Sequence, residues 1–171
     1  MKRYFLLALV GVLLVCAGNL WAQGGGKNGS GYDFFDAAGR KSGSARPSGD
    51  RINYYDSVGR RTGHSAPNGK DAVNYYDSGG RRIGSARTSG DRTNYYDSTG
   101  RRTGYATTRA DGSVQYYDSS GRRTGSANTG GGRTGYYDST GRRTGTSFPK
   151  NGGKSSAPAP ASPAEIQFFG R

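Results

Sequence analysis

Six times along this chain an aromatic pair is followed by aspartate, two variable residues, glycine and two basic residues. The pairs begin at Phe34, Tyr54, Tyr75, Tyr95, Tyr116 and Tyr136, at intervals of 20, 21, 20, 21 and 20 residues. Guanidinium groups hold carboxylate, sulfate or phosphate through charge-assisted hydrogen bonds. A tyrosine ring beside them adds stacking and a cation–π contribution of about 0.5–1 kcal/mol at an exposed site. The chemistry this pattern offers is therefore polyanion contact. Its candidate residues are the second arginine of each pair, Arg61, Arg82, Arg102, Arg123 and Arg143, and the second tyrosine of each pair, Tyr55, Tyr76, Tyr96, Tyr117 and Tyr137.

Other chemistries lack their partners. His64 is the only histidine, and it occupies a position held elsewhere by Ser44, Ser85, Tyr105, Ser126 and Thr146. It therefore reads as a surface substitution and not as a base or a ligand. The serines after Asp56, Asp77, Asp97, Asp118 and Asp138 are turn residues. One carboxylate per copy beside two arginines is a poor cage for a hard cation, so no metal is expected. No cofactor is expected either, since no strand–glycine loop–helix context exists to cradle a phosphate. An acid–base constellation in a pocket is missing, and the chain is not expected to be an enzyme.

Positioning comes from hairpins. In Asp97-Ser98-Thr99-Gly100, aspartate accepts a hydrogen bond from the backbone two residues on and glycine takes a positive φ, which suits a type I turn in a three-residue hairpin loop. This predicts Asp97 opposite Arg101, Tyr96 opposite Arg102 and Tyr95 opposite Thr103. The first arginine of each pair is then partly neutralised by the turn aspartate, and the second faces an aromatic ring. A second set of turn signals falls between copies, at Ser48-Gly49-Asp50, Asn68-Gly69-Lys70, Ser89-Gly90-Asp91, Asp111-Gly112 and Gly130-Gly131-Gly132. Two strands per copy give about twelve short strands in an antiparallel meander. The glycine spacing leaves no 3.6-residue apolar stripe for a helix.

The ends and the composition narrow the class further. Lys2, Arg3 and the apolar run Tyr4 to Cys16 read as a signal peptide over residues 1–22, cleaved after Ala22. Cys16 follows Val15 where a lipid-acceptor cysteine wants a small residue, so the expectation is a secreted or periplasmic protein without an anchor. No other cysteine follows, so there is no disulfide framework. Beyond residue 22 there is no Leu or Met, and the large aliphatics are only Ile52, Val58, Val73, Ile83, Val114 and Ile166. An ordinary two-layer core cannot be built from them. The net charge of +13 falls to +11 once Lys2 and Arg3 leave, and such a chain is attracted to polyanions. Residues 23–31 read as a glycine-rich linker and 149–165 as a Gly/Pro/Ala-rich linker. Residues 166–171, with Phe168 and Phe169, form an aromatic terminal segment suited to docking or capping.

The motif resembles the YD repeat of Rhs-type bacterial toxins and teneurins. Tyr55-Asp56…Gly59-Arg60, Tyr76-Asp77…Gly80-Arg81, Tyr96-Asp97…Gly100-Arg101, Tyr117-Asp118…Gly121-Arg122 and Tyr137-Asp138…Gly141-Arg142 carry it, and Phe35-Asp36…Gly39-Arg40 is a near match. The resemblance covers residues 32–148. It implies a β-sheet spiral and, as in some members, binding to carbohydrate or a cell surface. The family's apolar residue after glycine-arginine is replaced here by Lys41 and by arginines, and its tyrosine two before the tyrosine-aspartate pair is replaced by Asn53, Asn74, Asn94, Gln115 and Gly135. Six cationic repeats cannot enclose a toxin.

These readings converge on an all-β, repetitive antiparallel hairpin meander, single-layered or an open spiral, with disordered linkers and tail. Its expected function is non-enzymatic contact with an anionic glycan or other polyanion at the cell envelope or outside the cell. Nucleic acid is a lesser partner, because export removes the chain from the cytoplasm. No membrane span is expected after signal cleavage. The alternative role is a structural or self-assembling stalk or surface subunit.

Overall fold

A computed structural model describes residues 31–150; the signal segment with Cys16, most of both linkers and the aromatic terminal segment lie outside the described residues. Twelve strands follow one another: β1 (Tyr32–Asp36), β2 (Lys41–Ser48), β3 (Arg51–Asp56), β4 (Arg61–Pro67), β5 (Ala72–Asp77), β6 (Arg82–Ser89), β7 (Arg92–Asp97), β8 (Arg102–Thr108), β9 (Val114–Asp118), β10 (Arg123–Gly130), β11 (Arg133–Asp138) and β12 (Arg143–Pro149). Each pairs antiparallel with its sequence neighbours, as the meander reading requires. The sheet does not stay open. β1 pairs with β12, Tyr32 opposite Pro149 and Phe34 opposite Ser147, and the meander closes into a barrel. Closure removes both sheet edges, which would otherwise expose unpaired backbone groups.

The two kinds of turn explain the repeat length. Every Asp-x-x-Gly-Arg turn has one geometry: the glycine amide donates to the aspartate carbonyl and the aspartate amide to the arginine carbonyl, at 3.1 and 3.0 Å for Asp97, Gly100 and Arg101. Gly100 sits at φ +86°, a conformation that a side chain would strain. The opposite turns alternate. Ser48–Arg51, Ser89–Arg92 and Gly130–Arg133 enclose two-residue loops. Asn68 and Arg109 instead reach across longer loops, their amides bonding the carbonyls of Ala72 and Ser113. That extra residue is the source of the alternating intervals, and the true unit is a pair of hairpins 41 residues long, repeated three times around the barrel.

Alternation sorts the side chains into an inner and an outer set. On odd-numbered strands the first aromatic points inward: Phe34, Tyr54 and Tyr136 are at most 2 % exposed. Even-numbered strands answer with small residues, glycine followed two positions on by Ala45, Ser65, Ala86, Ala106, Ala127 or Ser147, all buried. Large rings from one strand therefore fill the space left by small residues on the next, which is how small barrels are packed. A core without leucine results. Tyr54 and Ser65 hydroxyls hydrogen-bond inside at 2.9 Å, and Tyr136 and Ser147 at 3.1 Å. Burial pushes the Tyr54 phenol well above its ordinary value.

One predicted pairing is corrected. Tyr96 does lie opposite Arg102, but Tyr95 lies opposite Gly104 and not Thr103, because a bulge inserts one residue on β8. The same shift recurs on the paired strands of five other hairpins, between Tyr54 and Tyr55 for example. Bulges increase local twist, which a small closed barrel needs. The glycine that follows is required by space: a Cβ on Gly84 would stand 2.6 Å from the Tyr96 carbonyl oxygen.

Candidate functional site

In an up-and-down barrel alternate turns lie at the same end. All six Asp-x-x-Gly-Arg turns therefore form one rim, carrying twelve basic residues, Arg40, Lys41 and the five arginine pairs, against six turn aspartates. Local chemistry holds each turn in shape. The Oδ1 of Asp97 accepts from the Thr99 amide and hydroxyl at 2.9 and 2.6 Å and from the Arg101 amide at 3.0 Å. Asp118 and Asp138 repeat this set with Ser120, Arg122, Thr140 and Arg142. The hydroxyl bond is the main reason that the Asp97, Asp118 and Asp138 carboxyls sit below their ordinary value; at Asp36 it is the backbone bond from Arg40. Lone pairs used this way are not available to a cation. Among the described residues no group of three or more His, Cys, Asp or Glu side chains could hold a metal.

The first arginines follow the expectation in part. Arg40, Arg60, Arg122 and Arg142 reach their turn aspartates at 2.9, 3.6, 3.1 and 3.7 Å, with more than four-fifths of each side chain exposed. Ion pairs so exposed contribute little, because water screens them. For Arg101 only the backbone is bound by Asp97.

The second arginines depart from the expected stack on the tyrosine opposite. Arg82 and Arg102 donate to the carbonyls of Ser98 and Ser119 in the next turn along the rim, at 3.0 and 3.3 Å. Arg123 donates to the Ser126 hydroxyl and Arg61 to the His64 ring. In the first copy, Lys41 is paired with Asp33 at 2.8 Å. The tyrosines explain the separation, since they lean away from the rim, back along their own strands. Tyr117 donates to Gln115 Oε1 at 2.7 Å, and the Asn74 amide lies 3.5 Å from the Tyr76 hydroxyl. Asn74 and Gln115, two residues before their tyrosines, thus anchor these two phenols. The predicted site residues accordingly fall into two places. Arg61, Arg82, Arg102, Arg123 and Arg143 stand on the rim, while Tyr55, Tyr76, Tyr96, Tyr117 and Tyr137 are half-buried on the outer wall.

Guanidinium–ring contacts do form on that wall, from Arg46 and Arg92, which the sequence did not single out, and from Arg102 on a ring other than the expected one. Arg46 lies 4.9 Å over Tyr55, and Arg92 lies 3.8 Å over Tyr105 with Arg102 at 5.9 Å. Tyr105 itself stacks on Tyr117, centroids 4.7 Å apart and planes 12° apart. His64 corrects a second expectation. It is only 8 % exposed, stacked on Tyr76 at 4.7 Å and bonded to Arg61 at 2.8 Å. Burial, and then Arg61 and Arg51, lower its pKa. Register shows why: His64 and Tyr105 are equivalent positions 41 residues apart, each opposite the second tyrosine of the following hairpin. A ring placed there must stack.

The strands run five to eight residues, short of the roughly nine to eleven of a membrane-crossing strand. Their outward positions include Asn53, Asn74, Asn94 and Gln115 in place of a lipid-facing apolar band. No helix among the described residues is long and apolar enough to cross a membrane.

No family model matches the chain, and no curated protein matches it. Among solved structures it is similar to BamB from Moraxella catarrhalis, with a TM-score of 0.30 and 13 % identity. That likeness covers 63 % of this chain and 56 % of BamB, so the chain spans little more than half of that protein.

Proposed function

We propose that this protein is an exported, non-enzymatic repeat barrel that holds anionic polymers, glycans before nucleic acid, on its basic rim. The observation that carries the reading is closure, which converts six separate basic pairs into one ring of twelve cations around six aspartates engaged in their own turns. Clustered charge of one sign raises the local concentration of a polyanion and speeds its capture. Arg82 and Arg102 are held by carbonyls of the neighbouring turns, so these two lose less side-chain freedom on binding. Kinship with YD repeats, carried by the recurring motif, is part of this proposal and agrees with a surface-binding role. A self-assembling role has less support, because a sheet without edges offers no strand for another copy to extend.

The test is salt-titrated binding of the full chain to an acidic polysaccharide and to duplex DNA. Replacing Arg61, Arg82, Arg102, Arg123 and Arg143 together by Gln should weaken binding to both and flatten the salt dependence, by about 0.9 in log–log slope for each lost DNA phosphate contact. An unchanged slope would remove the rim from the reading.

A further inference from the structure

The threefold repetition of the 41-residue unit allows three equivalent places on the outer wall to be compared. In the first, Arg51, Asn53, Tyr55, Arg61 and His64 correspond to Arg92, Asn94, Tyr96, Arg102 and Tyr105 in the second, and to Arg133, Gly135, Tyr137, Arg143 and Thr146 in the third. The first two places are closed by the chain's own rings. His64 accepts Arg61 and stacks on Tyr76, while Tyr105 lies under Arg92 and stacks on Tyr117.

The third place is built from the same scaffold but left open. Thr146 has no ring to offer, and Gly135 lacks the side-chain amide that meets the phenol at Tyr76 and Tyr117. Tyr137 accordingly lies over the Gly135 backbone, where an added Cβ would stand 2.9 Å from its hydroxyl. A cleft of about 340 Å3 remains, lined by Asn128, Arg133, Gly135, Tyr137, Arg143 and Thr146. That volume is at the lower end of the roughly 300–1,000 Å3 typical of small-molecule sites. No ion pair, hydrogen bond or ring contact within the described residues engages the side chain of Arg133 or Arg143, and no acidic side chain lines the cleft.

We propose that this cleft is a binding site for a small aromatic anion, a planar ring bearing a carboxylate or phosphate. The ring lies beside Thr146, where His64 and Tyr105 stand in the sister units, against Tyr137 and the two guanidinium groups. The counterpart of their stacking partners Tyr76 and Tyr117 is Phe35, which packs edge-on against Phe148 and does not line the cleft. The acidic group is held by Arg133 and Arg143, and the Asn128 amide and Thr146 hydroxyl supply orienting hydrogen bonds. Guanidinium suits both tasks, since its plane stacks and its edge donates in pairs. The proposal is separable from the rim reading, because its ligand is a single small molecule and, although Arg143 serves both, Arg133, Tyr137 and Thr146 belong to the wall.

The experiment is an NMR titration of the full chain with four probes: benzoate, adenosine monophosphate, adenosine and galacturonate. Benzoate and adenosine monophosphate should saturate at one equivalent and shift the Tyr137 and Gly135 signals. Adenosine lacks the charge and galacturonate the ring, so each should bind at least ten-fold more weakly. Thr146→Tyr, which gives the third unit the ring of the second, should abolish binding while leaving the net charge unchanged. Arg133→Gln, an exposed change that does not threaten the fold, should weaken it at least ten-fold. Lys70→Gln, equal in charge and remote, should leave it within two-fold. Galacturonate binding as well as benzoate would overturn the aromatic requirement. Binding unaltered by Thr146→Tyr and Arg133→Gln, or saturation by none of the probes, would overturn the site, and neither result would touch polymer binding at the rim.

Discussion

Two tyrosines at equivalent places inside the barrel should respond to the same substitution with opposite signs. Tyr136 shares a hydrogen bond with the Ser147 hydroxyl, and Ser147 is fully buried. Tyr75 stands at the same step of its own hairpin, but the residue that would answer Ser147 is Ala86, and the buried Tyr75 hydroxyl has no hydrogen-bond partner. Burial, with Tyr54 and Tyr95 close by, drives its phenol pKa well up. A buried hydroxyl left unpaired costs about 1–3 kcal/mol. Tyr75→Phe should therefore stabilise the barrel by about 1 kcal/mol or more. Phe34 shows that a phenyl ring fits this ring of aromatics. Tyr136→Phe loses a bond and strands the Ser147 hydroxyl, so it should destabilise by about 1–3 kcal/mol. Ala86→Ser should add stability when Tyr75 is present and subtract it in the Tyr75→Phe background, a coupling that a double-mutant cycle isolates. Urea unfolding measures all four, with the same m-value expected throughout. If Tyr75→Phe destabilised as much as Tyr136→Phe, the assignment of polar pairing inside the barrel would be refuted.

Two further predictions concern glycine and pH. Gly84→Ala drives a methyl into the Tyr96 carbonyl and should cost about 1–3 kcal/mol as overpacking, whereas Gly79→Thr, outside the left-handed region and with only an ordinary 3.4 Å contact from its Cβ to the Asp77 carboxylate, should add about 0.5–1 kcal/mol by stiffening the unfolded chain and supplying the hydroxyl that Thr99 gives Asp97; thermal unfolding of the two variants checks the contrast. The pKa of His64 is lowered in the folded barrel, so the unfolded chain binds the extra proton first; the neutral ring's stability is fully present above about pH 6.5 and declines as pH falls below it. His64→Tyr, which repeats the Tyr105–Tyr117 stack, should remove that slope, and a slope unchanged by the substitution would show that another group causes it.

The division between local and distant information runs through particular residues. The turn at Asp97 to Gly100 was legible because aspartate and glycine act within five residues: one accepts the amides, the other takes the positive φ. The Tyr96–Arg102 pairing follows from that turn, and strand number and antiparallel order follow once the turns between copies, such as Ser89-Gly90-Asp91, are added. The site was legible only as a set of residue types. Arg102 was expected on Tyr96, but the Tyr76 and Tyr117 phenols show that this class can turn to the Asn or Gln two residues before it, and the bulge at Thr103 accompanies an arginine that reaches the next turn. Arg92, Arg46 and the stacked His64 gave no signal in the motif, because each acts across a strand boundary.

The amino-acid order by itself determined the hairpin, its period and the alternation of large rings with glycine and alanine, since these depend on backbone sterics and hydrogen bonds within about twenty residues. Tertiary structure alone decided that β1 meets β12, that the first tyrosine of each pair faces inward, and that six basic turns share one rim. The physical reason is that twist accumulated over the whole meander brings Phe34 to Ser147, and no single repeat carries a record of that sum.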